Sequence, residues 1–114
     1  LASFNGLAVG DFWVLQPHLD ITNFDNELKN GLKLVEFYAP WCGFCSRQEP
    51  ILEELDKVWI GKVDTDDNRH IAQKFSVSSL PTFILFKEGK EVDRFLGLHS
   101  KFNLMDRLNK HIAN

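Results

Sequence analysis

Apolar residues along the chain fall into continuous runs typical of strands and spaced patterns typical of helices. Residues 34–39 are apolar apart from Glu36, which predicts a central strand, beginning at Lys33, that is buried on both faces. Two further strand patterns, residues 82–86 and 91–96, flank a Lys-Glu-Gly-Lys turn and indicate a hairpin. The remaining strand patterns are shorter apolar runs at residues 12–15 and 58–63.

Apolar residues three or four positions apart predict four helices between and after these strands. The first helix begins at a capping box formed by Thr22 and Asp25 and ends near Gly31. The second begins at Cys42 and contains Pro50, which removes a backbone hydrogen bond and predicts a kink. The other two helices are expected to begin at Asp67 or Asn68 and at Ser100.

The resulting order of elements is β-α-β-α-β-α-β-β-α. Strands separated by helices pair in parallel, and the two hairpin strands pair antiparallel. The sequence therefore predicts an α/β fold with a mixed central sheet and helices on both faces. The length of 114 residues suits one domain, which we place at residues 12–114 after an N-terminal extension of residues 1–11. That extension lacks the basic region of a signal peptide and has no assigned role.

Composition narrows the classes of function. The formal net charge is −3 and basic residues do not cluster, which argues against a nucleic-acid partner. No apolar run approaches the roughly 20 residues that a membrane helix needs. Histidine and cysteine spacing does not match a zinc site, so we predict no metal.

The two cysteines of the chain lie in one Trp-Cys-Gly-Phe-Cys run, Trp41 to Cys45, directly after the predicted central strand. A thiolate is the attacking form of cysteine, and a helix N-terminus stabilises negative charge. Cys42 would lie at the N-terminus and attack a disulfide. Cys45 would lie one turn further in and resolve the mixed disulfide. A static disulfide or half of a zinc site remains an alternative for an isolated Cys-x-x-Cys pair.

This run resembles the active-site segment of the thioredoxin superfamily, and a Ser-Leu-Pro-Thr run at residues 79–82 strengthens the resemblance. The resemblance covers about residues 12–113. It implies the thioredoxin fold, a redox-active disulfide between Cys42 and Cys45, and no further cofactor. It also implies disulfide-containing protein substrates and a reductase such as thioredoxin reductase as electron donor. We expect a monomer.

The resemblance implies roles for three residues outside the cysteine run. Glu36 matches an acid that relays a proton to the resolving thiol, and its apolar surroundings should raise its pKa. Lys62 matches a lysine that pairs with this acid. Pro81 matches a proline whose cis peptide bond faces the cysteine pair and leaves the backbone of Leu80 free to pair with a substrate strand.

A partner surface is expected around Cys42, because exposed apolar patches mark binding sites. The residues predicted to contact substrate are Trp41, Gly43, Phe44, Leu80, Pro81 and Gly97, with Leu98 beside them.

Details of the sequence leave the direction of electron flow open. Residues 35–43, including Glu36, resemble a protein disulfide isomerase domain, whereas residues 75–97 resemble a thioredoxin. Phe44 stands where thioredoxins usually have Pro and isomerases have His. Because Phe offers no charge or hydrogen-bond donor to the Cys42 thiolate, we favour a reductant. The alternatives are an oxidase or isomerase domain and a non-catalytic binding module.

Two further features of the chain concern its length and its compartment. Residues 50–62 are about five residues shorter than the thioredoxin pattern, so the second helix should be short. We expect a cytoplasmic protein, with an exported or organellar mature form as the alternative.

Overall fold

The computed structural model describes residues 16–55 and 58–112, which form a mixed sheet flanked by helices. The predicted strand at residues 12–15 lies outside this part of the chain. The strands are β1 (Leu32–Tyr38), β2 (Trp59–Asp64), β3 (Thr82–Lys87) and β4 (Lys90–Leu96). The helices are α1 (Phe24–Leu28), α2 (Gly43–Glu53), α3 (Arg69–Lys74) and α4 (Lys101–Ile112).

The strand order across the sheet is β2-β1-β3-β4. Strand β1 is parallel to β2 and antiparallel to β3, while β3 and β4 form the antiparallel hairpin. Glu36 in β1 lies opposite Lys62 on one side and Phe83 on the other. The predicted mixed α/β sheet is therefore confirmed, with β1 in the interior of the sheet as its apolar sequence requires.

Side chains alternate between two apolar layers, one on each face of the sheet. Val35 and Phe37 point into the layer shared with α1 and α3, which also contains Phe24 and Ile71. Leu34 points into the opposite layer, whose other members come from α2, β2, β3, β4 and α4. Successive strand residues face opposite sides of the sheet, so β1 needs apolar residues on both of its faces. The strand is buried along most of its length.

The start of α1 differs from the predicted capping box. Asn23 occupies the N-cap position, and its side chain accepts a hydrogen bond from the Asp20 N–H at 2.8 Å. The Asp20 carboxylate in turn accepts hydrogen bonds from the backbone N–H and hydroxyl of Thr22. The capping box of Thr22 and Asp25 was therefore wrong, because a carboxylate upstream is the stronger acceptor for the threonine hydroxyl.

The starts of the two later helices follow the prediction more closely. Ser100 caps α4, since its hydroxyl accepts a hydrogen bond from the Asn103 N–H at 3.1 Å. Asn68 lies at the N-cap position of α3, but its amide donates to the Asp64 carbonyl instead of capping the helix. The short second helix is also confirmed: α2 contains Pro50 and ends at Glu53.

A short segment before α1 extends the sheet beyond β2. The Lys62 N–H donates to the Pro17 carbonyl at 2.9 Å, and the Leu19 N–H donates to the Lys62 carbonyl at 2.8 Å. The Leu19 side chain is buried in the layer beneath α1. Within residues 16–55 and 58–112, none of the helices is long and apolar enough to cross a membrane.

Candidate functional site

The cysteine pair lies where the chain leaves β1 and enters α2. Cys42 is the N-cap residue of α2, and its sulfur accepts a hydrogen bond from the Cys45 N–H at 3.2 Å. Both residues are free thiols and are largely buried, with exposed fractions of 6% for Cys42 and 3% for Cys45. The predicted arrangement is confirmed: a helix N–H points at the first sulfur, and the second sulfur lies deeper.

The Cys45 thiol is poorly suited to ionise unaided. Its pKa is raised from 9.0 to about 12, mainly by burial, with smaller contributions from the neighbouring Cys42 side chain and the charge of Glu36. At neutral pH this thiol stays protonated, so its attack on a mixed disulfide requires a base within reach.

Glu36 is a buried carboxyl whose charge acts on Cys45. Its side chain is fully buried, and its two carboxyl oxygens have no hydrogen-bond partner among the described residues. Burial raises the pKa of Glu36 from 4.5 to about 8, although the Lys62 ammonium, 3.8 Å from one carboxyl oxygen, opposes this shift. The predicted raised pKa and the predicted pairing with Lys62 are both confirmed.

The sequence reasoning missed a second carboxylate at this position. The Lys62 ammonium forms a direct hydrogen-bonded ion pair with Glu49 of α2. Glu49 lies one helical turn after Cys45, and residues at this spacing share a face of the helix. That spacing was the available signal, since it places Glu49 on the side of α2 that carries Cys45.

A surface cavity of about 540 Å³ opens beside Cys42. Its predicted members are Trp41, Gly43, Phe44 and Leu80, and it also contains Thr65, Val77, Ser78 and Ser79. Trp41 and Phe44 are 72% and 54% exposed, so both offer apolar surface to a partner. The Trp41 indole N–H donates to the Asp66 carboxylate at 3.0 Å, which fixes the ring at the rim of the cavity.

The four lining residues that were missed had weak signals in the sequence. Val77 to Ser79 lead directly into Leu80 and Pro81, and Thr65 directly follows β2. Each could have been found as a loop residue at the end of the sheet where β1 delivers Cys42.

Pro81, Gly97 and Leu98 lie outside the lining of this cavity. The Leu80–Pro81 peptide bond is cis, as predicted, and Leu80 packs against the cysteine pair. The Gly97 N–H donates to the Pro81 carbonyl at 2.8 Å, so the backbone of Gly97 supports the turn that carries Leu80. Gly97 has φ +85°, a conformation that favours glycine.

The described residues contain no group of three or more His, Cys, Asp or Glu side chains that could hold a metal ion. The site brings together two thiols, a buried acid and a cavity. A mixed sheet that delivers a Cys-x-x-Cys pair to a helix N-terminus, next to a cis-proline turn, defines a dithiol–disulfide oxidoreductase of the thioredoxin fold.

Sequence comparisons agree with this class. The Thioredoxin family model matches residues 16–110. The thioredoxin of Chlamydia caviae is 47% identical over 93 residues, which cover 78% of this chain and 91% of that protein. The thioredoxin of Staphylococcus haemolyticus is 46% identical over 96 residues, which cover 80% of this chain and 92% of that protein. The chain belongs to the thioredoxin family and is a thioredoxin-like protein disulfide reductase.

Solved structures give the same result. Fasciola hepatica thioredoxin is 38% identical with a TM-score of 0.74, over 84% of this chain and 99% of that one. Mitochondrial thioredoxin 3 of Saccharomyces cerevisiae is 31% identical with a TM-score of 0.76, over 83% of this chain and 94% of that one. Members of the family act on disulfide-containing proteins and receive electrons from a reductase.

Proposed function

We propose that Cys42 is the nucleophile and Cys45 the resolving thiol of a cycle that reduces disulfides in other proteins. The observation that carries this assignment is the position of Cys42, whose sulfur caps α2 at the wall of the cavity. A thiolate there is stabilised by the helix N-terminus. Cys45 is deeper and lies outside the lining of the cavity.

The proposed cycle has two exchange steps. The Cys42 thiolate attacks one sulfur of the substrate disulfide, forms a mixed disulfide and releases the first substrate thiolate, which takes a proton from water. Cys45 then loses its proton and attacks the Cys42 sulfur. The bond between Cys42 and the substrate breaks, and the second substrate sulfur leaves as a thiolate that takes a proton from water. The two electrons remain in the substrate thiols, while Cys42 and Cys45 form a disulfide.

We assign to Glu36 the role of the base that accepts the Cys45 proton in the second step. A carboxyl whose pKa is about 8 is close to working pH, where general-base catalysis is most effective. The charge of Glu36 acts on Cys45, which places the two groups within electrostatic range. Lys62 is the positioning partner of this carboxyl through the 3.8 Å ion pair.

The cavity supports a particular kind of substrate segment. Exposed aromatic rings at Trp41 and Phe44 and the aliphatic side chains of Val77 and Leu80 suit an extended apolar segment next to the disulfide. Pro81 and Gly97 would act from beneath, by holding the Leu80 turn in place.

The remaining requirements of the cycle follow from the same arrangement. The redox pair carries the electrons, so we infer that no cofactor is needed and that a thioredoxin reductase restores the thiols. Both cysteines, the acid and the cavity come from one chain, which suits a monomer. A dithiol that must return to its reduced form after each cycle suits a reducing compartment such as the cytoplasm.

Reduction of insulin with dithiothreitol as electron source tests the assignment. We expect Cys42→Ser to abolish turnover, because no mixed disulfide can form. Cys45→Ser should accumulate a mixed disulfide through Cys42. Ser46→Ala, which removes an exposed neighbouring hydroxyl, should keep normal activity. Modification of Cys45 before Cys42 when the reduced protein is alkylated would contradict the assignment.

An oxidase or isomerase is the second candidate, favoured by the glutamate at position 36. Phe44 argues against it, because the exposed ring supplies no charge to Cys42. The reduction potential of the Cys42–Cys45 couple separates the two. We expect a value near the roughly −270 mV of thioredoxin, whereas a value near the roughly −180 mV of protein disulfide isomerase would favour the second candidate.

A further inference from the structure

Lys62 lies between two carboxylates that differ in exposure. Glu36 is fully buried, the Lys62 side chain is 11% exposed, and the Glu49 side chain is 33% exposed. The ammonium is in direct hydrogen-bonded contact with Glu49 but remains 3.8 Å from Glu36. The cation that could neutralise Glu36 is therefore held mainly by another acid.

This unequal sharing explains why Glu36 receives no hydrogen bond from Lys62. A buried carboxylate that accepts a hydrogen bond from an ammonium becomes strongly acidic, and it then makes a weak base. At 3.8 Å the Lys62 ammonium attracts the Glu36 charge without donating a hydrogen bond to it. The negative charge of Glu49 acts on Glu36 in the opposite direction and raises its pKa.

We propose that Glu49 is a positioning residue of the proton relay: by binding the Lys62 ammonium, it prevents Lys62 from closing on Glu36 and keeps Glu36 able to accept the Cys45 proton near neutral pH. Glu49 reaches this place because α2 carries it one turn after Cys45, on the same face. It acts on Glu36 in two ways, by holding the Lys62 ammonium and through its own negative charge.

Few other ionisable groups face Glu36 from the elements packed against it. On β1 the Tyr38 ring lies 4.5 Å from the Lys62 ammonium, and burial above all raises the pKa of Tyr38 to about 12, so it stays neutral. Asp64 of β2 acts on Tyr38. From β3 the facing residue is Phe83, which carries no charge. From α2 the Cys45 thiol also interacts with the charge of Glu36. After Lys62 itself, the charge on Glu49 is therefore the one whose removal should most change the pKa of Glu36.

The inference rests on the proposed role of Glu36 as base, so its test measures the pKa of Glu36 directly. Carboxyl-carbon NMR of the reduced protein follows the titration of Glu36 without any substrate. In Glu49→Gln, Lys62 is free to bind Glu36, and we expect the pKa of Glu36 to fall by about one unit. Glu53→Gln, a matched change at an exposed position of α2, should leave the titration of Glu36 unchanged.

A second measurement follows the resolving step against pH in single turnover. In Glu49→Gln we expect the midpoint of the curve of rate against pH to move to lower pH by the same amount as the pKa of Glu36. In Glu49→Asp the midpoint should move less. An unchanged pKa of Glu36 in Glu49→Gln would overturn the role of Glu49. A shifted pKa with an unchanged rate profile would instead remove Glu36 from the relay and leave its coupling to Glu49 intact.

Discussion

At the scale of single residues, Glu36 combines two opposing requirements. Its complete burial among apolar strand residues makes the charged carboxylate unfavourable, yet its proposed role as a base requires that charge. The folded state therefore holds the proton of Glu36 more tightly than the unfolded chain does. Such a difference in proton affinity makes stability depend on pH.

The substitution Glu36→Gln should reveal this cost. The unfolded glutamate ionises near 4.5 and the folded one near 8, so wild-type stability falls as pH rises between these values. The glutamine variant lacks this loss. We expect its free energy of unfolding to exceed that of wild type by an amount that grows across this window and reaches a few kcal/mol above pH 8.

Urea unfolding from pH 4 to pH 9 measures the difference. Glu53→Gln, an exposed change in α2, should follow the wild-type curve throughout. A gap between Glu36→Gln and wild type that stayed constant with pH would mean that Glu36 ionises equally in both states.

At the scale of elements, Asp93 of β4 holds α4 against the sheet through contacts with two α4 side chains. Its carboxylate accepts hydrogen bonds from the Arg107 guanidinium at 2.6 and 3.1 Å and lies 3.2 Å from the His111 ring nitrogen. The Arg107 hydrogen bonds are the main reason that the pKa of Asp93 falls from 3.8 to about 2. Since Arg107 also lies 4.7 Å from the Phe95 ring, the ion pair covers an edge of the apolar layer.

Replacing Asp93 with asparagine should weaken this attachment. A folded pKa below the unfolded value adds stability above pH 4 that is lost as pH falls toward 2. We expect Asp93→Asn to lower the free energy of unfolding by about 1–2 kcal/mol at pH 7, after discounting for the partial exposure of the pair. The difference from wild type should vanish near pH 2.

The control is Asp106→Asn. Asp106 pairs with Lys110 on the exposed face of the same helix, at 3.8 Å. Its loss should change stability by less than about 0.5 kcal/mol. Equal losses in Asp93→Asn and Asp106→Asn would show that the Asp93 pair adds no more than a surface ion pair.

Elements set by neighbouring residues could be predicted from the sequence, whereas contacts between distant residues could not. The central strand, the hairpin and the cap at Ser100 depend on neighbouring residues, so local pattern was sufficient. The predicted capping box at Thr22 was wrong because the Thr22 hydroxyl instead donates a hydrogen bond to Asp20, which lies outside the capping motif. Glu49 was missed because its importance depends on Lys62, a partner on another element.

At the scale of the whole molecule, the packing of the segment before α1 depends on a residue without a side chain. A Cβ atom built on Gly61 would lie 2.7 Å from the Trp59 ring and 2.8 Å from Leu19. Gly61 is buried in β2 beside the backbone that pairs with Pro17 and Leu19. The absence of a side chain lets these large groups meet over the strand.

Gly61→Ala should therefore push Leu19 and Trp59 apart. We expect a loss of about 1–3 kcal/mol in the free energy of unfolding, the usual cost of overpacking a core. Gly43→Ala serves as the control, because a Cβ at Gly43 meets no atom within 4 Å. Urea unfolding measures both variants, and equal stability of the two would refute the packing argument.

The segment at residues 17–19 also bears on how the molecule avoids joining its neighbours. An uncovered strand edge is a template on which another chain can add a strand. Beside β2 this template is occupied at its centre, because Lys62 already uses its backbone N–H and carbonyl to bind Pro17 and Leu19. At the other edge, β4 carries Lys90, Glu91, Asp93 and Arg94. An incoming strand would have to accommodate these charges, so the sheet resists edge-to-edge aggregation at both of its sides.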